Sequence, residues 1–266
     1  MKAYLTYFKS ELLTGLQYRA SAYAGILTQF FWGFVYALIY TAFYSYTSID
    51  SISFEQLMCY VWLNQAFYYL IVFGIYDHEI SGSIKDGNVA YQLLRPYDLY
   101  NWWYIKHLAK RYSGCLLRFL PVILFALILP SPYGLSLPVS LLAFIMFIIT
   151  MILGTLIMAA IFMIIQCIGF FTYQDKGISS IICSIGGLLS GFFIPIPLLP
   201  NLIINITEYL PFRLIGDLPF RIYSGNIDLA YGIKSIILQV IWIIILTMVG
   251  KKIMKFALKK VSIQGG

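Results

Sequence analysis

A chain of 266 residues carries 18 Lys and Arg against 11 Asp and Glu, a net charge of +7, with 11% charged and 61% apolar residues. Soluble domains average about 25% charged and 45–50% apolar, so this composition, with a mean hydropathy of +0.83, excludes a water-soluble domain, a disordered chain and a disulfide scaffold. The basic residues stand beside long uncharged runs rather than on one face of a fold, which argues against nucleic acid as a partner and for an orienting signal in a membrane.

The opening stretch MKAYLTYFKSELLTGLQYR lacks the short apolar core and small-residue cleavage site of a signal peptide and is expected to be retained. Tyr4, Phe8, Leu12 and Leu16 recur at a spacing of four, opposite Lys2, Lys9, Ser10 and Gln17. That stripe predicts an interfacial helix within residues 1–19, lying in the headgroup plane.

Ala20 to Ile49 holds no charge, and Glu55 and Asp77 bracket a second uncharged stretch. These predict the first two spans. Phe119 to Gln174 contains 56 uncharged residues, too many for one crossing of about 20, and Pro130, Pro132, Gly134 and Pro138 break it into spans three and four. Ile178 to Thr207 supplies a fifth stretch and Leu229 to Gly250 a sixth. The expected fold is an all-α membrane protein of six transmembrane helices in a single transmembrane domain over residues 1–266. Six spans put both termini on one side of the cell membrane, where 15 of the 18 basic residues also fall, with only Arg213, Arg221 and Lys234 opposite. The bias places the termini and the 77–111 loop in the cytoplasm. Trp102, Trp103, Tyr104 and Tyr112 stand near predicted span ends, as interfacial rings or as bulky core residues alike.

Two segments are longer or more broken than connections need to be. Within 77–111, Gly82 and Gly87 punctuate a run whose apolar residues are Ile84, Val89, Leu93 and Leu94, closed by Arg95 and Pro96 because the residue before a proline is pushed out of the helical region. A short amphipathic helix follows, either a linker or a docking surface. In the outer segment, over residues 192–228, Pro195, Pro197 and Pro200 cannot share one straight helix. The apolar residues that continue to Leu210, Pro211 and Phe212 predict one or two short re-entrant helices, since broken backbone at membrane depth survives only where protein or a water-filled cavity covers it.

Chemistry is sparse. No P-loop occurs, so ATP hydrolysis is not expected here. The only histidines, His78 and His107, both read as loop residues without the spacing of a metal site. Cys59, Cys115, Cys167 and Cys183 form no C-x-x-C pair and read as small apolar residues. Arg118 is the one candidate charge inside a span and can snorkel back to the interface. No catalytic residue and no metal ligand is expected.

The residues together resemble the permeases of the type-2, export class of ATP-binding-cassette (ABC) transporters. The features that carry the resemblance are Tyr18–Arg19 before span one, Glu79–Ile80 and Gly82 through Gly87 to Leu93–Leu94–Arg95–Pro96, Ser190–Gly191 through the prolines to Leu210–Pro211–Phe212, and the tail from Gly250–Lys251–Lys252 to Gly265–Gly266. The resemblance implies a coupling helix on which Glu79, Ile80, Ile84, Leu93, Leu94 and Arg95 meet a cytosolic ABC ATPase present in two copies. It implies an outer gate at Pro195, Pro197, Pro200, Pro211 and Phe212, and a path for hydrophobic cargo between this chain and a second permease, identical or paralogous. Phe30, Phe34, Tyr68 and Phe192 are the expected aromatic lining. ATP and magnesium would sit on the partner ATPase, leaving no cofactor on this chain, while Lys251 to Lys260 would attract anionic membrane lipid. Two other readings are a membrane-embedded lipid-modifying enzyme and an ATPase-linked sensor or immunity component that binds a hydrophobic peptide.

Overall fold

A computed structural model describes residues 2–47, 49–74, 77–171 and 175–259. Gln174, Lys260 and the Gly265–Gly266 tail lie outside the described residues, as do the side chains of Arg19 and Lys176. Every regular element among the described residues is helical.

Helix α1, Lys2–Leu16, is followed by α2, Arg19–Tyr46. α3 spans Phe54–Ala66, where Ser53 and Gln56 cap its first turn reciprocally, the Gln56 amide donating to Ser53 Oγ at 3.2 Å and the Ser53 amide to Gln56 Oε1 at 3.1 Å. A single turn, α4 (Tyr68–Ile71), continues it. Then come α5 (His78–Lys85), α6 (Val89–Leu93), α7 (Leu99–Leu116), α8 (Phe119–Ile128) and α9 (Leu141–Ile168). α10 (Asp175–Leu189), α11 (Asn201–Thr207), α12 (Asp217–Tyr223) and α13 (Leu229–Leu258) complete the chain.

Four helical stretches are long and apolar enough to cross a membrane: Ala20–Tyr46, Leu99–Ile128, Leu141–Ile168 and Leu229–Leu258. The first, third, fourth and sixth uncharged runs thus form long helices, and the turn expected at Pro130–Pro138 separates α8 from α9. The second and fifth runs do not reach that length. α3 has 13 residues and α4 four, and α10 has 15, against the roughly 20 that a straight crossing takes.

The second of these long stretches also starts earlier than the charges suggest. α7 begins at Leu99, capped by Asp98, whose side chain accepts the Asn101 amide at 2.8 Å. The expected loop over 77–111 therefore ends where α7 begins, and His107 lies inside a helix instead of a loop. A short break at Leu117–Arg118 divides α7 from α8, because the ring of Pro121 opposes the carbonyl four residues back.

α9 is the central column, with α13 lying along it and α12 and α7 against its other faces. Gly154 lets this happen: a Cβ there would stand 2.8 Å from the Ile215 carbonyl oxygen, so the turn before α12 rests directly on α9. Gln239 of α13, fully buried, donates to the Thr150 and Leu214 carbonyls at 2.9 and 2.8 Å and ties three elements at one level. Leu38, Ile128, Leu141, Ile237 and Ile244 stay exposed on the outside. Such a surface suits hydrocarbon, where packing and interhelical hydrogen bonds hold helices together because lipid is as apolar as the side chains.

α1 packs on α7 through the expected stripe. Tyr7 stacks on Trp102 at 3.7 Å, Phe8 meets Tyr112 edge-on at 6.3 Å, and the Tyr4 hydroxyl accepts the Asp98 amide at 3.2 Å. Burial, helped by Glu11, pushes the Tyr7 hydroxyl above its ordinary range, so the ring stays neutral. Trp102 is sandwiched by Tyr97 on its other face at 4.2 Å and Trp103 is buried, so both are packing residues in this chain.

Candidate functional site

Three regions hold the residues singled out by the sequence. The first is the α5–α6 loop. Asp77 caps α5, accepting the Glu79 and Ile80 amides at 3.1 and 3.3 Å, and Lys110 of α7 stands 3.5 Å from its other oxygen. Glu79, exposed at its tip, pairs with Lys106 of α7. Ile80 is only 2% exposed and packs with Val89, Leu99, Trp103 and Phe162, with Ile84 half-buried beside them. As an ATPase contact Ile80 is thus misplaced: it anchors the loop from inside. Leu93, Leu94 and Arg95 are exposed, Leu94 at 83%, and Tyr91, which the sequence did not mark, is exposed with them. Gln92 turns inward and accepts the Trp103 indole N–H at 2.8 Å, which leaves Tyr91, Leu93 and Leu94 outward at the tip.

The second region follows α10, which ends at Leu189 before the prolines, as their spacing requires. Pro195 and Pro197 are buried around a tight turn, Pro200 precedes α11 at the surface, and Pro211 is buried, with Phe212 half-buried against Phe73 at 6.0 Å. α12 is enclosed among α9, α3 and α13. Asp217, 0% exposed, pairs with Arg221 at 3.3 Å, and Arg221 Nε donates to Asn226 at 2.6 Å. Asn226 in turn donates to the Ser51 carbonyl at 2.9 Å and Gln56 at 3.2 Å, and Ser51 donates to the Pro197 carbonyl at 2.8 Å. The charges counted as an outer loop are therefore an internal lock between α12 and the α2–α3 connection.

The third region is a cavity of about 280 Å³ lined by Trp32, Tyr36, Asn64, Gln65, Tyr68, Phe192 and Phe193. Tyr68 and Phe192 meet there with ring centroids 5.6 Å apart, and Asn64 donates to the Phe192 carbonyl at 3.1 Å. Gly191 makes the approach possible with φ at +75°, a Cβ there colliding with the Tyr60 hydroxyl at 2.2 Å. Phe30 and Phe34 are not in this group. Phe30 lies 4.6 Å from Phe125, and Phe34 packs edge-on to Trp62 and Phe125 at 5.8 and 5.6 Å. Trp32, Tyr36 and Tyr40 share one face of α2, and a residue two positions away points about 200° around the helix.

Arg111 and Arg118 are two of the buried cations. Arg118, expected to snorkel, is 5% exposed and donates to the Gly114 and Ser21 carbonyls at 2.8 and 3.1 Å while lying 4.2 Å over the Tyr69 ring. It cannot snorkel because α2 closes over it. Arg111, 1% exposed, donates to the carbonyls of Tyr69, Leu70 and Val72 at 3.0 to 3.3 Å, and through Nε to His107 Nε2 at 2.6 Å. The cation thus caps the carbonyl end of α4 where water cannot. His107 stacks on Phe162 at 3.6 Å. Its Nε2 accepts the Arg111 N–H hydrogen bond, so the neutral imidazole carries its own hydrogen on Nδ1. Among the described residues no cluster of three His, Cys, Asp or Glu is placed to hold a metal ion.

Long apolar helices around a polar-pinned interior define a multi-pass membrane protein. The ABC-2 family transporter protein family matches residues 33–265, and the chain belongs to that family, as a permease component of ABC transport. No curated protein matches the chain.

Proposed function

We propose that this chain is the transmembrane subunit of an ATP-driven exporter, pairing with a second permease and moved by two cytosolic ABC ATPases that grip the α5–α6 tip. ATP and magnesium belong to those ATPases. The observation that carries the reading is the division of labour in the loop: Ile80 and Val89 bury it against α7, while Tyr91, Leu93 and Leu94 are left exposed beside Glu79 and Arg95. Apolar side chains at the end of a rigidly held loop have no use in water and suit a protein cleft.

In this reading α1 lies at the inner interface, both termini are cytoplasmic, and the α3–α4 and α10 segments provide the two short crossings that bring the count to six. Lys251, Lys252, Lys255 and Lys259, on the last turns of α13, face the anionic inner leaflet. The segment from Pro195 to Phe212 closes the outer end, and hydrophobic or amphiphilic cargo passes the cavity at Tyr68 and Phe192. ATP-driven closure of the ATPases moves the docked tips and rocks the permeases as rigid bodies.

The test is substitution at the tip. Leu94→Glu and Glu79→Lys should leave the protein in the membrane and at normal abundance, yet lose ATPase capture and cargo export. Export at the parent rate by both variants would remove the docking role. The mass of the intact purified assembly reports whether two ATPases and one or two kinds of permease are present.

A further inference from the structure

The cavity at Tyr68 and Phe192 has a chemical character that the sequence could not supply. Seven rings surround it and its continuation toward Pro195: Trp32, Tyr36, Tyr40, Tyr60, Tyr68, Phe192 and Phe193. They include two chains of neighbouring rings that share the cavity, Trp32 with Tyr36 at 6.0 Å and Tyr36 with Tyr40 at 6.2 Å, and Tyr68 with Phe192 at 5.6 Å and Phe192 with Phe193 at 5.3 Å. Among the described residues no acidic or basic side chain lines it.

An anion placed here would need cationic or N–H donors to replace its water. The side-chain donors on offer are all uncharged, the Asn64 and Gln65 amides, the Trp32 indole and the tyrosine hydroxyls, and Asn64 directs one of its hydrogens at the Phe192 carbonyl. One helical turn from Trp32, Gln29 is 4% exposed and its amide oxygen has no partner, which adds negative potential on that stretch of α2. Aromatic faces carry the negative end of the ring quadrupole and attract a cation within about 6 Å, the more so when desolvated. The nearest carboxylate, Asp217 behind Tyr60, is already paired with Arg221. We propose that this cavity selects amphiphilic cations, with an onium headgroup seated on the aromatic faces and an apolar tail running between the rings, over neutral or anionic molecules of the same shape. The proposal rests on reading the cavity as the cargo path.

The experiment compares three probes on the purified full chain in detergent: phenyltrimethylammonium, its neutral carbon isostere tert-butylbenzene, and benzenesulfonate. The ammonium is expected to bind at least about tenfold more tightly than the isostere, with benzenesulfonate weakest. Trp32→Leu and Phe193→Leu, both at exposed rings, keep apolar area but remove a π face. Each should weaken ammonium binding about three- to tenfold and change tert-butylbenzene less than about twofold. Asn64→Trp, which fills the cavity, should abolish binding of the ammonium and the isostere, and Phe193→Trp serves where that variant does not purify. Equal affinity for ammonium and isostere, or tighter binding of benzenesulfonate, overturns the cation preference while leaving the cavity a cargo site, provided filling it blocks whatever binds. Binding that the filled variants do not alter, or no binding of any probe, overturns the cargo path itself and the preference with it.

Discussion

The α5–α6 loop and the segment from Pro195 to Asn226 are both interruptions in a helical membrane protein, and they end up opposite in character. The α5–α6 loop joins one exposed or half-exposed partner to one buried partner in each ion pair, Glu79 to Lys106 and Lys110 to Asp77, and leaves Tyr91, Leu93 and Leu94 outside. The outer segment takes both kinds of group in: Asp217, Phe220 and Ile222 are fully buried and Arg221 is bonded to two neighbours. One region leaves apolar side chains without contacts inside the chain. The other satisfies its polar and apolar groups within the chain.

That contrast can be broken by substitution, and the largest effect belongs outside. Arg221→Leu leaves Asp217 buried without its cation, which costs about 3–5 kcal/mol where a buried pair loses one member. Thermal unfolding of the purified protein measures it, and adding Asp217→Asn should restore more than half of the loss. Next comes Gly154→Ala, whose new methyl would meet the Ile215 carbonyl oxygen at 2.8 Å. Overpacking of this kind costs about 1–3 kcal/mol, and the same melting experiment should rank it below Arg221→Leu.

The inner loop should be far more tolerant. Lys106→Ala removes a pair whose acid is largely exposed, worth about 0.2–1 kcal/mol. Leu94→Glu should change stability by less than about 0.5 kcal/mol while lowering affinity for the ATPase at least about tenfold, the scale of a contact near the centre of an interface. Titration of labelled ATPase onto the two purified proteins checks it. Should Leu94→Glu instead melt the fold as Arg221→Leu does, the tip is a core element and the contrast disappears.

The sequence made the long helices and the proline break legible because both depend on local rules: uncharged length and the missing proline amide. It misplaced the start of α7 because Lys106, His107, Lys110 and Arg111 look like loop residues until their partners are known. Those partners are Asp77, Glu79 and the carbonyls of Tyr69, Leu70 and Val72, all brought in by the tertiary fold. On α2, nothing in the order of residues told which way the helix was turned, so Phe30 and Phe34 were named where Trp32 and Tyr36 line the cavity beside Tyr68 and Phe192. Among the loop residues Ile80 was read as outward when the α7 and α9 side chains cover it.

Arg111 fastens α7 to the end of α4 through main-chain oxygens. A peptide oxygen is the same under any side chain, so residues 69, 70 and 72 can be exchanged without loosening the tie. The joint between α7 and α4 therefore survives changes in the side chains that surround it.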